Sequence, residues 1–469
     1  MSKVVISEPL RTAIGTFGGA LQDVSAVNLG ITVVKEILKR TGIESTQIDE
    51  CVMGNILGAG QGQNPARQVA LGAGLDYDTP SYTLNRVCAS GVQSVANAAQ
   101  AIKAGDADVV LAGGIENMNL APFLLPKARY GYRMALEASD SVLDGMVYDG
   151  LWDIFNNYHM GMTAENLAEK YNISREDQDK FAIDSQGKAK KAMRTGVFKP
   201  EIVPVELKKG VFDTDEHPRE VSMAALSRLK PVFTSEGTVT AGNASGINDG
   251  AAAMIVSSEE KAKELGLKPV GEVISYAVSG VEPSVMGIGP VPAMNKALAK
   301  AGLTIDDIDL VELNEAFAVQ SLAVLSDFPI PSEKLNVNGG AVALGHPIGA
   351  SGSILIVKLL HEMQRRNVKR GLVSLCVGGG QGIAMVIENP NAQFSIMQDD
   401  KSKQSKDVFS SKLEVENKKF FFDLKENHKG HYLKITEVSG GRSSIIIPVD
   451  GLGEFQGHLL EVIDKASLS

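Results

Sequence analysis

Asn85-Arg86-Val87-Cys88-Ala89-Ser90-Gly91 is the stretch on which the rest of this sequence turns. An apolar approach, one cysteine and three small residues lead into 92–103, which reads as a helix, so the sulfur sits where a helix begins. Unpaired N–H groups and the positive end of the helix dipole favour a thiolate there, one route to a cysteine reactive near neutral pH. A lone cysteine is more often a buried structural residue. Two later segments change that balance: Gly345-His346-Pro347-Ile348-Gly349-Ala350-Ser351-Gly352 and Cys376-Val377-Gly378-Gly379-Gly380.

Outward from this stretch, residues 3–117 alternate short β-branched runs with helical stretches, as in a layered α/β domain. Residues 26–41 and 64–74 read as helices, 50–54 and 108–113 as strands, and 10–19 as a glycine-punctuated loop. Between 118 and 246 the alternation fails, which marks an insertion. Its clearest helix is 174–195, with Ser174 as N-cap and Asp177 three residues on. Pro200, Pro204, Pro218 and Pro231 then mark a loop-rich run. The α/β pattern returns over 247–270 and continues through 271–389. This second set echoes the first, with a cysteine in each between an apolar run and small residues: Val87-Cys88-Ala89 and Leu375-Cys376-Val377. Residues 390–411 are polar and read as a linker. A small domain at 412–469 follows, with strands at 420–426, 431–438 and 443–449 and an amphipathic helix at 452–465.

A chain of 469 residues, 44% hydrophobic and 22% charged, has material for two to four domains. No run approaches the roughly 18 apolar residues of a membrane helix, and the start is too short for a signal-peptide core, so a cytoplasmic protein without membrane association is expected. Three cysteines, none closely paired, argue against a disulfide framework and against a metal site. A net charge of -10 gives no general attraction to nucleic acid.

His346 lies in a loop whose glycines and proline hold an imidazole in place, and with two cysteines available it reads as a base or thiolate partner. Cys376 ends the apolar run 371–375, so its sulfur is expected to project from a strand end into a cleft. Gly378, in the glycine triplet, is the natural backbone donor to an oxyanion. Asn314, in Asn314-Glu315-Ala316-Phe317, adds a side-chain amide or caps a helix.

Over about residues 1–389 the chain resembles the thiolases through these motifs, with Gly242-Asn243-Ala244-Ser245-Gly246-Ile247-Asn248-Asp249-Gly250 and Asn338-Gly339-Gly340. The resemblance implies the α/β thiolase fold: a duplicated α/β/α/β/α core (1–117 with 247–270, then 271–389) carrying an inserted coenzyme A-binding loop domain (118–246). It implies that Cys88 takes the acyl group from acyl-CoA as a thioester, supported by His346, and that Cys376 is the acid/base. Asn314 holds a water, and the N–H groups of Cys88 and Gly378 hold the oxyanion. Leu151, His159, Met160, Arg219, Phe233, Ser245, Ala316 and Phe317 carry over as coenzyme A contacts, Arg219 in a loop of altered length. Coenzyme A is then substrate and product, and no cofactor is held permanently. Leu151-Trp152-Asp153 and Tyr158-His159-Met160-Gly161 resemble the biosynthetic, acetoacetyl-CoA enzymes. The expected reaction is therefore reversible Claisen condensation of two acetyl-CoA to acetoacetyl-CoA, by an acetyl-CoA C-acetyltransferase. The rivals are a longer-chain 3-ketoacyl-CoA thiolase and a decarboxylating ketoacyl synthase, which typically has a second histidine where Cys376 stands. Such enzymes are usually homotetramers, with 122–133 matching the tetramerisation loop.

Residues 416–465 resemble a single purine-rich-element-binding (Pur) repeat, a four-stranded sheet and a helix, through Phe421-Phe422-Asp423-Leu424-Lys425-Glu426-Asn427 and Tyr432-Leu433-Lys434-Ile435-Thr436-Glu437. Such repeats bind single-stranded nucleic acid and pair with a second repeat. For 412–469 this leaves nucleic-acid binding, self-association, or no part in catalysis as open readings.

Overall fold

The computed structural model describes residues 3–132, 142–392, 406–415, 418–427, 430–438, 442–449 and 452–466. The chain divides into two compact units, 1–392 and 393–469.

In the first unit nine strands form one continuous path: β1 (Val4–Thr12), β2 (Glu50–Gly54), β3 (Ser81–Leu84), β4 (Val109–Asn117), β5 (Asn248–Ser258), β6 (Pro269–Gly280), β7 (Leu310–Leu313), β8 (Arg370–Val377) and β9 (Gln381–Glu388), in the order β7-β8-β9-β6-β1-β5-β4-β2-β3. The helices of this unit that position the site are α1 (Ala26–Thr41), α2 (Pro65–Ala73), α3 (Ser90–Ala104), α4 (Met160–Tyr171), α5 (Arg175–Arg194), α6 (Pro290–Ala301), α7 (Ala318–Asp327) and α8 (Ile348–Arg366). Local chemistry accounts for their ends. Asn64 and Gly74 cap α2, and Ser174 with Asp177 closes a capping box on α5. Strand β1 runs on to Thr12, so the expected loop over 10–19 begins later; Leu10 and Arg11 pair with Ala253 and Ala252.

The duplication is explicit in the pairing. From β1 the first half runs β1-β5-β4-β2-β3, and its four pairings are antiparallel, antiparallel, parallel and parallel. From β6 the second half runs β6-β9-β8-β7 with the same senses, and a parallel bridge from Val311 to Leu335 stands where β3 would. Helices α3 and α8 pack against each other and against strands of both halves, whereas α1 and α2 cover the first half and α6 the second. That is the expected helix–sheet–helix–sheet–helix layering. Helix α8 is buried from Ile348 to Leu360; most of that run is apolar or small, and its one cation, Lys358, is paired with Glu312 at 2.8 Å.

The crossing of α3 and α8 has approximate two-fold symmetry. A Cβ on Gly91 would strike the backbone of Ser353, and one on Gly352 the backbone of Val92. Exchanging the halves therefore carries Cys88-Ala89-Ser90-Gly91 onto Gly349-Ala350-Ser351-Gly352. The echo read from sequence, Cys88 with Cys376, is corrected: the counterpart of Cys88 is Gly349. Cys376 lies two residues past Ser374, the partner of Leu313, just as Glu116 lies two past Gly114, the partner of Gly54. By the same register Asn314 matches Asn55.

The insertion is tied to the core by Arg11, whose buried guanidinium meets Asp215 at 2.7 Å and Glu201 at 2.7 Å and lies over the Phe198 ring. Ile202–Val203 pairs with β1.

The second unit holds β10 (Lys406–Val415), β11 (Lys418–Asn427), β12 (Gly430–Val438), β13 (Arg442–Pro448) and α9 (Leu452–Ala466). Residues 406–411, expected in the linker, belong to β10; Lys406, Asp407 and the two serines hide the alternation. Residues 393–405 of that linker lie outside the described residues. Register sets Lys412-Phe421-Thr436 and Ser410-Asp423-Lys434 in cross-strand rows on one face, beside Lys425-Tyr432. Phe409, Leu413, Phe420, Phe422, Leu424, Leu433 and Ile435 take the other.

Candidate active site

The turn before α3 is held in a conformation that β-branched residues avoid: Val87 has φ 44°. Three short bonds fix it. The Asn85 Oδ1 accepts from Val87 N at 2.8 Å, Ser90 Oγ donates to Val87 O at 2.6 Å, and Arg86 N donates to Ser90 Oγ at 2.9 Å. Such strain persists only where neighbours over-determine it, and here it delivers Cys88 to the helix start. The N–H groups of Gly378 and of Cys88 itself are directed at the Cys88 thiol and favour its ionisation. Burial outweighs them and pushes the thiol up to about 11, so in the free protein it is protonated at neutral pH. The expectation that the helix start alone would yield a thiolate is thus reversed by desolvation.

His346 is 5% exposed and is held from behind. Its backbone N donates to Asn248 Oδ1 at 2.9 Å. Gly345, at φ 105°, precedes it; a Cβ there would stand 2.5 Å from the Asn248 side chain, so the loop requires glycine. His346 Nδ1 meets Ser351 Oγ at 2.6 Å, and Ser351 Oγ donates to Pro347 O at 3.0 Å. Having spent its one proton on that carbonyl, the hydroxyl accepts from Nδ1–H, which leaves Nε2 as the basic nitrogen. The Asn314 amide nitrogen lies 3.4 Å from that Nε2. Burial pushes the imidazole down to about 4, so it is neutral at physiological pH.

Cys376 sits inside β8, opposite Gly382, and is 1% exposed. It is the last residue but one of the strand, which continues only to Val377, so the sequence reading of a strand-end position is off by a single residue. Burial, then the neighbouring Cys88, push its thiol up.

Most of the expected coenzyme A residues converge. Met160, Ala316, Phe317 and Cys376 share one apolar cluster, against which Phe233 packs. His159 stacks on Phe233 at 4.6 Å, Phe233 meets Phe317 edge-on at 6.4 Å, and Ser245 N donates to Ala316 O at 3.0 Å. Leu151 joins a second cluster, formed by Ile56, Leu57, Met118, Met146 and Ile348, which also borders Cys88. Arg219 is exposed and donates to Ala241 O at 2.7 Å.

Sequence reading assigned no role to three supports. Ser351 orients His346. Glu315 is buried and accepts from Ser185 Oγ, Asn336 Nδ2 and Val342 N, which fixes the Asn314 loop against α5. Asn248 seats the His346 loop. All three lie within quoted motifs, so position was their only signal.

Together these residues give a thiol facing two backbone donors, a second thiol beside it, and a buried neutral imidazole tied back to Ser351. Residues 4–260 match the family model described as "Thiolase, N-terminal domain", 267–389 "Thiolase, C-terminal domain" and 367–468 "PurA ssDNA and RNA-binding protein". The chain is 57% identical over 392 residues to an acetyl-CoA acetyltransferase of Syntrophomonas wolfei, covering 82% of this chain and 99% of that protein. It is 54% identical over 393 residues to a probable acetyl-CoA acyltransferase of Staphylococcus aureus, covering 82% of this chain and 99% of the relative. Among solved structures, the Bacillus anthracis acetyl-CoA acetyltransferase matches with TM-score 0.80 and 44% identity, over 83% of this chain and 99% of that one. Human mitochondrial 3-ketoacyl-CoA thiolase matches with TM-score 0.80 and 43% identity, over 83% of this chain and 99% of that one.

Proposed function

The chain belongs to the thiolase family, and from that premise we propose that it is an acetyl-CoA C-acetyltransferase, joining two acetyl-CoA into acetoacetyl-CoA and free coenzyme A through an acyl-Cys88 intermediate. The observation that carries the reading is the Cys88 thiol facing two N–H donors, with a neutral His346 whose Nε2 is basic. His346 takes the Cys88 proton as sulfur attacks the acetyl thioester; the tetrahedral oxyanion rests on the N–H groups of Cys88 and Gly378, and coenzyme A leaves. Cys376 gives its proton to the departing coenzyme A thiolate and, now a thiolate itself, removes an α-proton from the second acetyl-CoA. The enolate oxygen is held by His346 and a water on Asn314, and the carbanion attacks the Cys88 thioester, expelling the Cys88 thiolate, which takes its proton back from His346 as acetoacetyl-CoA is released.

Short acyl chains fit the second cluster, since Ile56, Leu57, Met118, Met146 and Ile348 close around Cys88. The Syntrophomonas wolfei relative is named an acetyl-CoA acetyltransferase, which supports the same choice over a longer-chain substrate. The His159–Phe233–Phe317 aromatic set with Met160, Ala316, Ser245 and Leu151 would bind coenzyme A, with exposed Arg219 toward its phosphates. The protein acts in the cytoplasm as a homotetramer. Phe123 and Tyr130, 67% and 91% exposed, make 122–132 the candidate assembly loop; Arg133 at its end lies outside the described residues. Thiolysis of acetoacetyl-CoA beside a long-chain 3-ketoacyl-CoA tests the reading. Preference for the long chain overturns the acetyl assignment, and no turnover of either overturns the enzyme.

A second reading for the tail, single-stranded nucleic-acid binding, is favoured by the face that sets lysines beside Phe421 and Tyr432. Gel shift of the full chain against a chain ending at residue 392 tests it: no difference at low salt removes it.

A further inference from the structure

Glu116 stands in the first half where Cys376 stands in the second, and Gly349 stands where Cys88 does. The carboxylate is wholly buried and accepts four hydrogen bonds. Asn55 Nδ2 and Leu57 N reach Oε1 at 2.8 and 3.2 Å, while Ile56 N and Gly349 N reach Oε2 at 3.1 and 2.9 Å. The Gly349 N–H is the two-fold counterpart of the Cys88 N–H, one of the two donors that face the thiol. A Cβ on Gly349 would stand 2.5 Å from Glu116 Oε2, so no side chain fits there. The counterpart position thus carries the same donor, plugged by the protein's own carboxylate.

The plug touches both sides of the working site. Ile56 and Leu57 on one side and Ile348 on the other are walls of the apolar cluster that borders Cys88. Gly349 lies in the first turn of α8, three residues after His346. We propose that Glu116 is a positioning residue for the reaction, locking the Asn55–Leu57 loop to the start of α8 so that the acyl pocket and the His346 loop keep their places. Its negative charge also opposes ionisation of Cys88, and burial pushes the Glu116 carboxyl up to about 7. The other acidic group acting on it is Asp249, itself held by Asn119 and the N–H of Met118.

The inference rests on the acyl-Cys88 reading, which acetyl labelling of the wild type tests separately. If wild-type Cys88 takes no label, that reading falls; if it does and the variants below behave as wild type, only the role of Glu116 falls. The variant is Glu116→Gln in the full chain, read by turnover of acetoacetyl-CoA and by the pH dependence of iodoacetamide alkylation at Cys88. Expected are a kcat lower by about tenfold, a KM within about twofold, and alkylation at pH 8, where the wild-type carboxyl is ionised, faster by about threefold because the opposing charge is gone. A purely structural role would leave the alkylation profile unmoved. An unchanged or slowed alkylation in a folded variant, or an unchanged kcat, overturns the proposal. Should Glu116→Gln fail to fold, Asn55→Ala removes one donor and keeps the charge. It should lower kcat by about threefold without shifting the alkylation profile, and full activity there would overturn the proposal.

Discussion

Ser351→Ala removes the oxygen that accepts from His346 Nδ1–H at 2.6 Å. Alanine suits the first turn of α8, so the fold loses little. The imidazole, however, is left with a buried donor and no acceptor, which costs about 1–3 kcal/mol. It escapes by moving the proton to Nε2. In that tautomer the ring presents N–H toward the Asn314 amide nitrogen, 3.4 Å away, and cannot take the Cys88 proton. The productive tautomer is disfavoured by the same amount, so acylation should slow by about 5- to 150-fold, at about 1.4 kcal/mol per tenfold. The assay is single-turnover acetylation by acetyl-CoA, quenched in acid and read as acetyl mass on the Cys88 peptide, beside a urea denaturation curve. We expect slow acylation, a KM within about twofold and a nearly unchanged denaturation midpoint. An acylation rate within about twofold of wild type would refute the tautomer assignment.

Cys88→Ser should lose the acyl label, whereas Cys376→Ser should be acylated yet turn over slowly; equal labelling of wild type and Cys88→Ser would undo the assignment of the nucleophile. His346, depressed from 6.5 to about 4, binds its proton in the unfolded chain first, so stability is lost as pH falls below 6.5 and the loss levels off near 4. His346→Asn should remove about 2 kcal/mol of that penalty at pH 5 and nothing at pH 8, as read from urea curves at both pH values. Arg11→Met leaves Asp215 and Glu201 buried without their cation and should cost about 3–5 kcal/mol in the same measurement. Gly345→Ala places a Cβ against Asn248 at φ 105° and should lower kcat by about tenfold or more, with KM showing whether the His346 loop alone has moved.

Much of the framework was legible because local chemistry wrote it. Residues 26–41 and 50–54 are helix and strand as read, Ser174 caps its helix as read, and the helix read over 64–74 runs from Pro65 to Ala73 between the caps Asn64 and Gly74. What was not legible depends on distant contacts. Nothing near Cys88 in sequence announces the positive φ at Val87 or the burial that raises the thiol. The two-fold relation of Cys88 to Gly349 hides behind a side chain that one half has and the other lacks; the α3–α8 crossing reveals it. The role of Glu116 needs Asn55, Ile56, Leu57 and Gly349 gathered around it, from segments far apart in the chain. Strand β10 was missed for another reason, since exposed polar residues carry little strand signal until a partner strand is known.

The crossing of α3 with α8 has a practical consequence for anyone who would cut this enzyme in two. A break between β5 and β6 would separate the halves in sequence while leaving each with the helix the other needs. The second fragment would carry α8 with its apolar surface bare, and β6 would lose its pairing with β1. Made alone, such pieces should aggregate; made together, they should reassemble, because a glycine on each side lets the helices seat without moving a side chain. Activity restored by co-expression, and by nothing added later to the separate pieces, would mark this enzyme as a natural scaffold for fragment complementation.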